Sequence, residues 1–188
     1  MLAPPQLEIP RDELVRYRRH LHAHPELSFE EHETAAFIVS ELRDCGFDDI
    51  RTGVGKTGVL ATLKGGRPGP TTLLRADMDA LPMDETADVP YRSTRKGAMH
   101  ACGHDGHVAI LLSSARALAR MRDQVPGTIV FCFQPAEEGP AGNKAMIEDG
   151  ALENPHVDRC FALHLYSGLD VGQIGVRDGA FFASSDRF

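Results

Sequence analysis

The 188-residue chain is predicted to be an α/β protein, a sheet sandwiched between helices. Two observations carry the prediction. Apolar runs the length of buried strands, such as Gly127 to Gln134, alternate with stretches whose apolar residues recur at the helical period, such as Gly106 to Gln124. Hydrophobic residues make up 42% and charged residues 25% of the chain, the balance of an ordinary globular protein. The length corresponds to one domain, with enough chain to bury a core without disulfides or a structural metal. No internal repeat or low-complexity tract interrupts the pattern.

Taken in order, Asp12 to His24 reads as a helix, stopped by Pro25. Ser28-Phe29-Glu30-Glu31 has the form of a capping box and predicts the start of a second helix. Ala35, Ile38, Val39 and Leu42 keep its helical period, Cys45 closes it and Gly46 ends it. Gly58 to Lys64 and Thr71 to Ala76 read as strands around a Gly/Pro turn at Gly65 to Pro70. Asp77 to Ala101 is a long irregular stretch, which in a compact domain is usually functional or carries short structure of its own. Gly106 to Gln124 is the clearest helix, with Val108, Leu111, Leu112, Ala115, Leu118 and Ala119 in one apolar stripe. Gly127 to Gln134 reads as a buried strand, Gly142 to Asp149 as a short helix, and Val157 to Tyr166 and Val171 to Arg177 as strands. In such sheets ligands gather at the carboxyl ends of strands, where Asp77, Gln134 to Glu138 and His164 fall.

A formal net charge of −7 argues against nucleic acid or an anionic membrane as the main partner. No apolar run approaches the ~20 residues of a membrane span. Met1 to Pro10 lacks a basic region followed by an apolar one, so a cytoplasmic location is the expectation. Cys132 and Cys160 lie in apolar strand sequence and are expected to be buried; only Cys102 has polar, ligand-like neighbours. This is a free-thiol pattern, not a disulfide framework.

The chemistry concentrates in Cys102-Gly103-His104-Asp105-Gly106-His107, in the adjacent acids Glu137-Glu138 after a strand, and in His164 near the end of another. A thiol, imidazoles and carboxylates are the ligand types of a transition-metal site. One carboxylate beyond ligation supplies the base that metal-assisted hydrolysis needs. Cys102 and His104 precede a helix, whose positive end favours a thiolate. On those residues alone a helix cap with an incidental cysteine reads equally well. Asp105 reads as a helix N-cap, and His107, in the first turn, as a support to the site. Two adjacent acids after a strand are more often an exposed turn, and a lone histidine in an apolar strand is more often a core residue. It is the conjunction that raises them. Asp77 and Asp79 end a strand, where they either support a metal from behind its ligands or cap a loop.

Two segments only imitate sites. His20, His22 and His24 look like a metal tract, but helix residues two apart point to nearly opposite sides, and they read as surface or interhelix residues. Gly55-Lys56-Thr57 resembles the end of a phosphate loop, but Ile50 stands where that loop requires glycine, and a strand follows instead of a helix.

The segments His24-Pro25-Glu26-Leu27-Ser28, Arg75 to Pro82, Met99 to His107, Phe133 to Gly139, Leu163-His164 and Ala183 to Phe188 together resemble a family of metal-dependent amidohydrolases and metallopeptidases. That family includes hippurate hydrolases, indole-acetyl-amino-acid hydrolases and N-acyl-amino-acid amidohydrolases. The resemblance implies a three-layer sandwich with a mixed sheet, of the zinc-peptidase kind. It implies two divalent metals, zinc or manganese before nickel or cobalt, with Cys102, His104, Glu138 and His164 as ligands and Glu137 as general base. Asp77, Asp79 and His107 would stand behind the ligands. The implied substrate is a small N-acyl-amino acid. Family members are about twice as long, so residues 1–188 are expected to be the N-terminal part of the catalytic domain. An inserted lid domain, through which the intact enzyme would dimerise, and a C-terminal part with one more histidine ligand would then be missing, leaving this chain alone a poor hydrolase. A non-catalytic metal-binding or interaction fragment, and a cysteine hydrolase using Cys102, are the alternatives.

Overall fold

The computed structural model describes residues 8–139 and 141–179; Ala183 to Phe188, one of the matching segments, lies outside them. Four α-helices and five strands are present among the described residues, with a single 3-10 turn at Arg122–Gln124. In chain order they are α1 (Arg11–Ala23), α2 (His32–Asp44), β1 (Ile50–Val54), β2 (Gly58–Lys64), β3 (Arg67–Asp77), α3 (His104–Arg120), β4 (Pro126–Gln134), α4 (Gly142–Glu148) and β5 (Arg159–Ala162).

The strands form one mixed sheet in the order β1-β2-β4-β3-β5. β2 runs antiparallel to β1 and β4, while β3 runs parallel to β4 and to β5. Side chains alternate across the pleat. Val59, Ala61 and Leu63 of β2 and Phe131 and Phe133 of β4 face a core shared with Tyr17 and Leu21 of α1, Ile38 and Leu42 of α2, and Leu111, Leu112 and Ala115 of α3. Leu60, Leu73, Val130 and Cys132 face the opposite side, against Met146 of α4 and Ala151. Helices therefore cover both faces, and the predicted three-layer α/β sandwich with a mixed sheet is what forms. No helix among the described residues is long and apolar enough to cross a membrane.

Several details depart from expectation. β2 and β3 do not pair across the Gly/Pro turn, because β4 lies between them. The capping box does not form. Phe29 takes a positive φ of 64° and turns the chain, so α2 begins only at His32. Its free N–H groups are met instead by the Glu26 carboxylate, which accepts from Glu33 N at 3.1 Å and Thr34 N at 2.7 Å. β5 is an edge strand of four residues, shorter than Val157 to Tyr166, and Cys160 within it is exposed. Val171 to Arg177 forms no strand; Val171, Ile174 and Val176 are exposed. The irregular stretch after Asp77 carries two isolated bridges, Leu27 to Ala80 and Leu81 to Met99.

This topology matters because β3, β4 and β5 are mutually parallel. Their carboxyl ends, at Asp77, Gln134 and Ala162, lie along one edge of the sheet, and α3 begins beside it.

Candidate metal centre

His104 is the hub. It is the first residue of α3 rather than a residue before it, and it is fully buried. The N-cap is Gly103, in the left-handed region at φ 86°, where only glycine sits without strain. His104 Nδ1 donates to the Asp79 carbonyl at 2.9 Å, which leaves Nε2 as the ring's lone-pair nitrogen. Among the described residues Nε2 has no hydrogen-bond partner, and it faces Asp77 Oδ2 at 3.5 Å, Glu138 Oε1 at 3.7 Å and Glu137 Oε2 at 3.8 Å.

The other residues converge on the same place. Cys102 Sγ lies 3.5 Å from His164 Nε2, and His164 Nδ1 donates to the Leu165 carbonyl at 2.7 Å. His107 Nε2 accepts from Leu165 N at 2.9 Å, so its Nδ1 carries the proton and donates to Asp77 Oδ1 at 2.6 Å. Asp79 Oδ2 accepts from the Ser28 hydroxyl at 2.7 Å and from Glu138 N at 3.1 Å. Ligand atoms form three groups that share His104: with Cys102 and His164, with Asp77 and His107, and with Glu137 and Glu138. Within each group every pair of atoms lies within 4.8 Å.

These residues fit a divalent cation. Among the described residues, His104 Nε2 and Glu138 Oε1 are buried polar atoms without a hydrogen-bond partner, a costly arrangement unless something else satisfies them. Donors held ~2.0–2.3 Å from one tetrahedral ion stand roughly 3.3–3.8 Å from each other, which is the spacing found around His104 Nε2. The donor set of thiol, imidazole and carboxylate suits zinc and its neighbours.

The electrostatics correct one expectation. Burial, reinforced by Glu138, Asp77 and Glu137, pushes the Cys102 thiol up to about 12 instead of favouring a thiolate. A helix terminus carries only about half a charge, and the clustered carboxylates outweigh it. A divalent ion would invert that balance. Burial alone would raise Asp77 as well, but the His107 hydrogen bond, the Arg75 charge and the adjoining His104 and His107 rings hold it down at about 2. Burial alone would lower His104, yet Asp79, Asp77 and Glu138 carry it above its ordinary value.

Cys102, His104, Glu137, Glu138 and His164 thus lie around one centre with Asp77, Asp79 and His107, and Asp77 Oδ2 stands nearer His104 Nε2 than either glutamate. Asp105 lies apart from it. It is no N-cap: its Oδ2 meets His22 Nδ1 at 2.7 Å and Arg18 at 3.0 Å. His22 is buried and takes the interhelix place, joining α1 to α3, and its Nε2 meets Glu85 at 3.0 Å. The sequence also gave no notice of Arg75, 2.7 Å from Asp77 Oδ2, or of Glu31, whose carboxylate bonds Ala136 N. Arg75 sits one pleat from Asp77 on β3, so its proximity was readable from strand period; Glu31 had no such signal.

The profile of peptidase family M20/M25/M40 matches residues 73–181, more than half of the chain. An N-acetyl-L-cysteine deacetylase of Bacillus subtilis is 46% identical over 98% of this chain and 44% of its own length. An N-acyl-L-amino acid amidohydrolase of Geobacillus stearothermophilus is 44% identical over 95% of this chain and 48% of its own. The chain therefore spans about half the length of the curated relatives it matches. Among solved structures, the Bacillus subtilis YXEP protein, described as a dinuclear metal binding peptidase of the M20 family, superposes with a TM-score of 0.84 at 43% identity, covering 89% of this chain and 46% of that one.

Proposed function

The chain belongs to peptidase family M20/M25/M40, and from that premise we propose that it contributes the metal ligands and the general base of an amidohydrolase that splits N-acyl-amino acids into a carboxylic acid and an amino acid. The observation that carries the reading is the unpartnered His104 Nε2, ringed by the carboxylates of Asp77, Glu137 and Glu138 at 3.5–3.8 Å. The names of the deacetylase and amidohydrolase relatives support the substrate class.

Cys102, His104, Glu138 and His164 would hold divalent metal, zinc or manganese before nickel or cobalt, and the dinuclear relative supports a pair of ions. When bound, the metals polarise the acyl carbonyl and lower the pKa of water toward about 7. The chain's own groups do the rest. Glu137 is the more exposed of the two acids and keeps a carboxylate facing the centre. It takes a proton from the attacking water as the C–O bond forms. It then hands that proton to the amine nitrogen as the C–N bond breaks. The Asp79 carbonyl keeps His104 Nε2 turned toward the centre by occupying Nδ1, while Asp77 holds the His107 ring with its Nε2 on the Leu165 N–H, beside His164. The four free cysteines fit a reducing, cytoplasmic setting.

A cysteine hydrolase would need a Cys102 thiolate, and the surrounding carboxylates oppose one. Metal content and inhibition separate the readings. The proposal expects Zn²⁺ or Mn²⁺ to bind the purified chain, to be stripped by a chelator, and to shield Cys102 from alkylation while bound. A chain that takes up no divalent metal, or whose Cys102 is alkylated equally fast with and without it, sinks the proposal.

A further inference from the structure

We propose that Glu31 is a positioning residue for the acid pair: by accepting the Ala136 backbone N–H it holds Glu137 and Glu138 in place against His104. The inference rests on the reading of the site as a metal centre.

Glu31 is completely buried, and although it is the N-cap residue of α2 its side chain caps nothing there. Instead Oε1 accepts from Ala136 N at 2.8 Å, and Oε2 accepts from the Thr57 hydroxyl. Ala136 immediately precedes the acid pair and turns the chain out of β4 at a φ of 50°. A residue with a side chain persists in that region only when its surroundings over-determine it, and such strain collects at functional sites. The non-glycine residues with positive φ among those described are Phe29, Lys56, Ala136 and Ala141, and each lies close in sequence to Glu31, to one of its two hydrogen-bond partners, or to the Gly142 that bonds Ala136. Phe29 lies two residues before Glu31 and Lys56 precedes Thr57. Ala141 precedes Gly142, whose N–H donates to the Ala136 carbonyl at 3.1 Å.

The bend has no room to relax. A Cβ on Gly142 would stand 1.9 Å from the Pro135 carbonyl oxygen, and one on Gly58 would stand 3.0 Å from Pro135 Cδ. On the far side of the pair, Asp79 Oδ2 accepts from Glu138 N at 3.1 Å. Glu137 is therefore the one residue between two backbone anchors, each a buried carboxylate taking an N–H.

The test is to titrate Co²⁺ into the 188-residue chain and its Glu31→Gln, Glu31→Ala and Thr57→Val variants, following cobalt–thiolate absorption, and to read amide hydrogen exchange at Ala136, Glu137 and Glu138. In Glu31→Gln the amide oxygen can still take the Ala136 N–H while its NH₂ meets the Thr57 oxygen, so Co²⁺ affinity and exchange should stay close to wild type. Glu31→Ala should lose on the order of 10–100-fold in Co²⁺ affinity, the usual cost of removing an outer support, with faster exchange confined to the three amides. Thr57→Val removes one anchor of the same carboxylate and should shift both readouts the same way by less; it replaces Glu31→Ala if that variant does not fold. Unchanged affinity and exchange in a folded Glu31→Ala, or in Thr57→Val standing in for it, overturn the proposal. So does an equal loss in Glu31→Ala and Glu31→Gln with faster exchange throughout the chain, which marks a merely structural role. A wild-type chain that takes no Co²⁺ would be a failure of the metal reading instead, and the exchange pattern would then decide the role of Glu31 by itself.

Discussion

Each histidine of the cluster has one nitrogen already occupied by a fixed acceptor. Nδ1 of His104, His107 and His164 faces Asp79 O, Asp77 and Leu165 O respectively, so all three turn Nε2 to the centre or to a backbone N–H. Adjacent acids can likewise take different parts. Glu137→Gln should leave metal content intact while lowering turnover about 10²–10⁴-fold, the usual scale for loss of a general base. Glu138→Gln should instead lose metal. Metal stoichiometry and N-acetyl amino acid hydrolysis on both variants check this in the protein that carries the complete site. Loss of metal from Glu137→Gln alone would exchange the two roles. Asp77 makes a prediction about acid. Its carboxyl lies at about 2 when folded, below its ordinary 3.8, so its contribution is present above about pH 4 and disappears as pH falls through about 2. That shift corresponds to roughly 2 kcal/mol. Urea unfolding at pH 5 and pH 2.5 should show a shallower acid loss in Asp77→Asn than in wild type; equal slopes would count against the linkage.

Elements are tied to one another by single buried side chains. The Glu26 carboxylate caps α2, and Glu26→Ala should cost about 1 kcal/mol, as other lost caps do, visible as a lower unfolding midpoint. His22 clasps α1 to α3 through Asp105 and to the irregular stretch through Glu85. The Asp105 hydrogen bond is the main cause that raises His22 above its ordinary value, with Glu85 adding to it against the cost of burial. A raised folded-state value means stabilisation that is complete below about pH 6.5 and is lost as pH climbs through the folded value. Chemical denaturation from pH 6 to pH 9 should show that loss, and His22→Gln should flatten it. How far these elements could be read beforehand depended on how much of each is set locally. β2, β4 and α3 carry clear period-2 or period-3.6 patterns, and their ends fall within a few residues of expectation. β1 escaped notice because Arg51-Thr52-Gly53 offers no apolar alternation; pairing with β2 makes it a strand. Val171 to Arg177 has strand-like composition but finds no partner, and composition does not supply one. Ser28 to Glu31 looked like a cap because the sequence does not announce the positive φ at Phe29. The candidate cluster was legible because cysteine, histidine and paired acids are rare together at strand ends. Of the anchors behind it, Arg75 was readable from the strand period alone, and Glu31 is an ordinary charged residue until the chain has folded.

At the scale of the sheet, both faces are covered, while among the described residues the edge strand β5 pairs with β3 alone, and Phe161, Leu163, Leu165 and Tyr166 are exposed beside it. An unpaired edge with apolar neighbours favours association. The 188-residue chain should therefore self-associate as its concentration rises, and Phe161→Lys should weaken this in sedimentation velocity; a concentration-independent monomer would refute it. The same edge strand delivers His164. Both hydrophobic cores are built without any residue of β5, so these four residues can fray from β3 while the rest stays packed. Under the proposed ligand set, the lifetime of an ion held partly by His164 would be set by local opening rather than by global unfolding, and the centre would release its cargo many times within the life of one folded molecule.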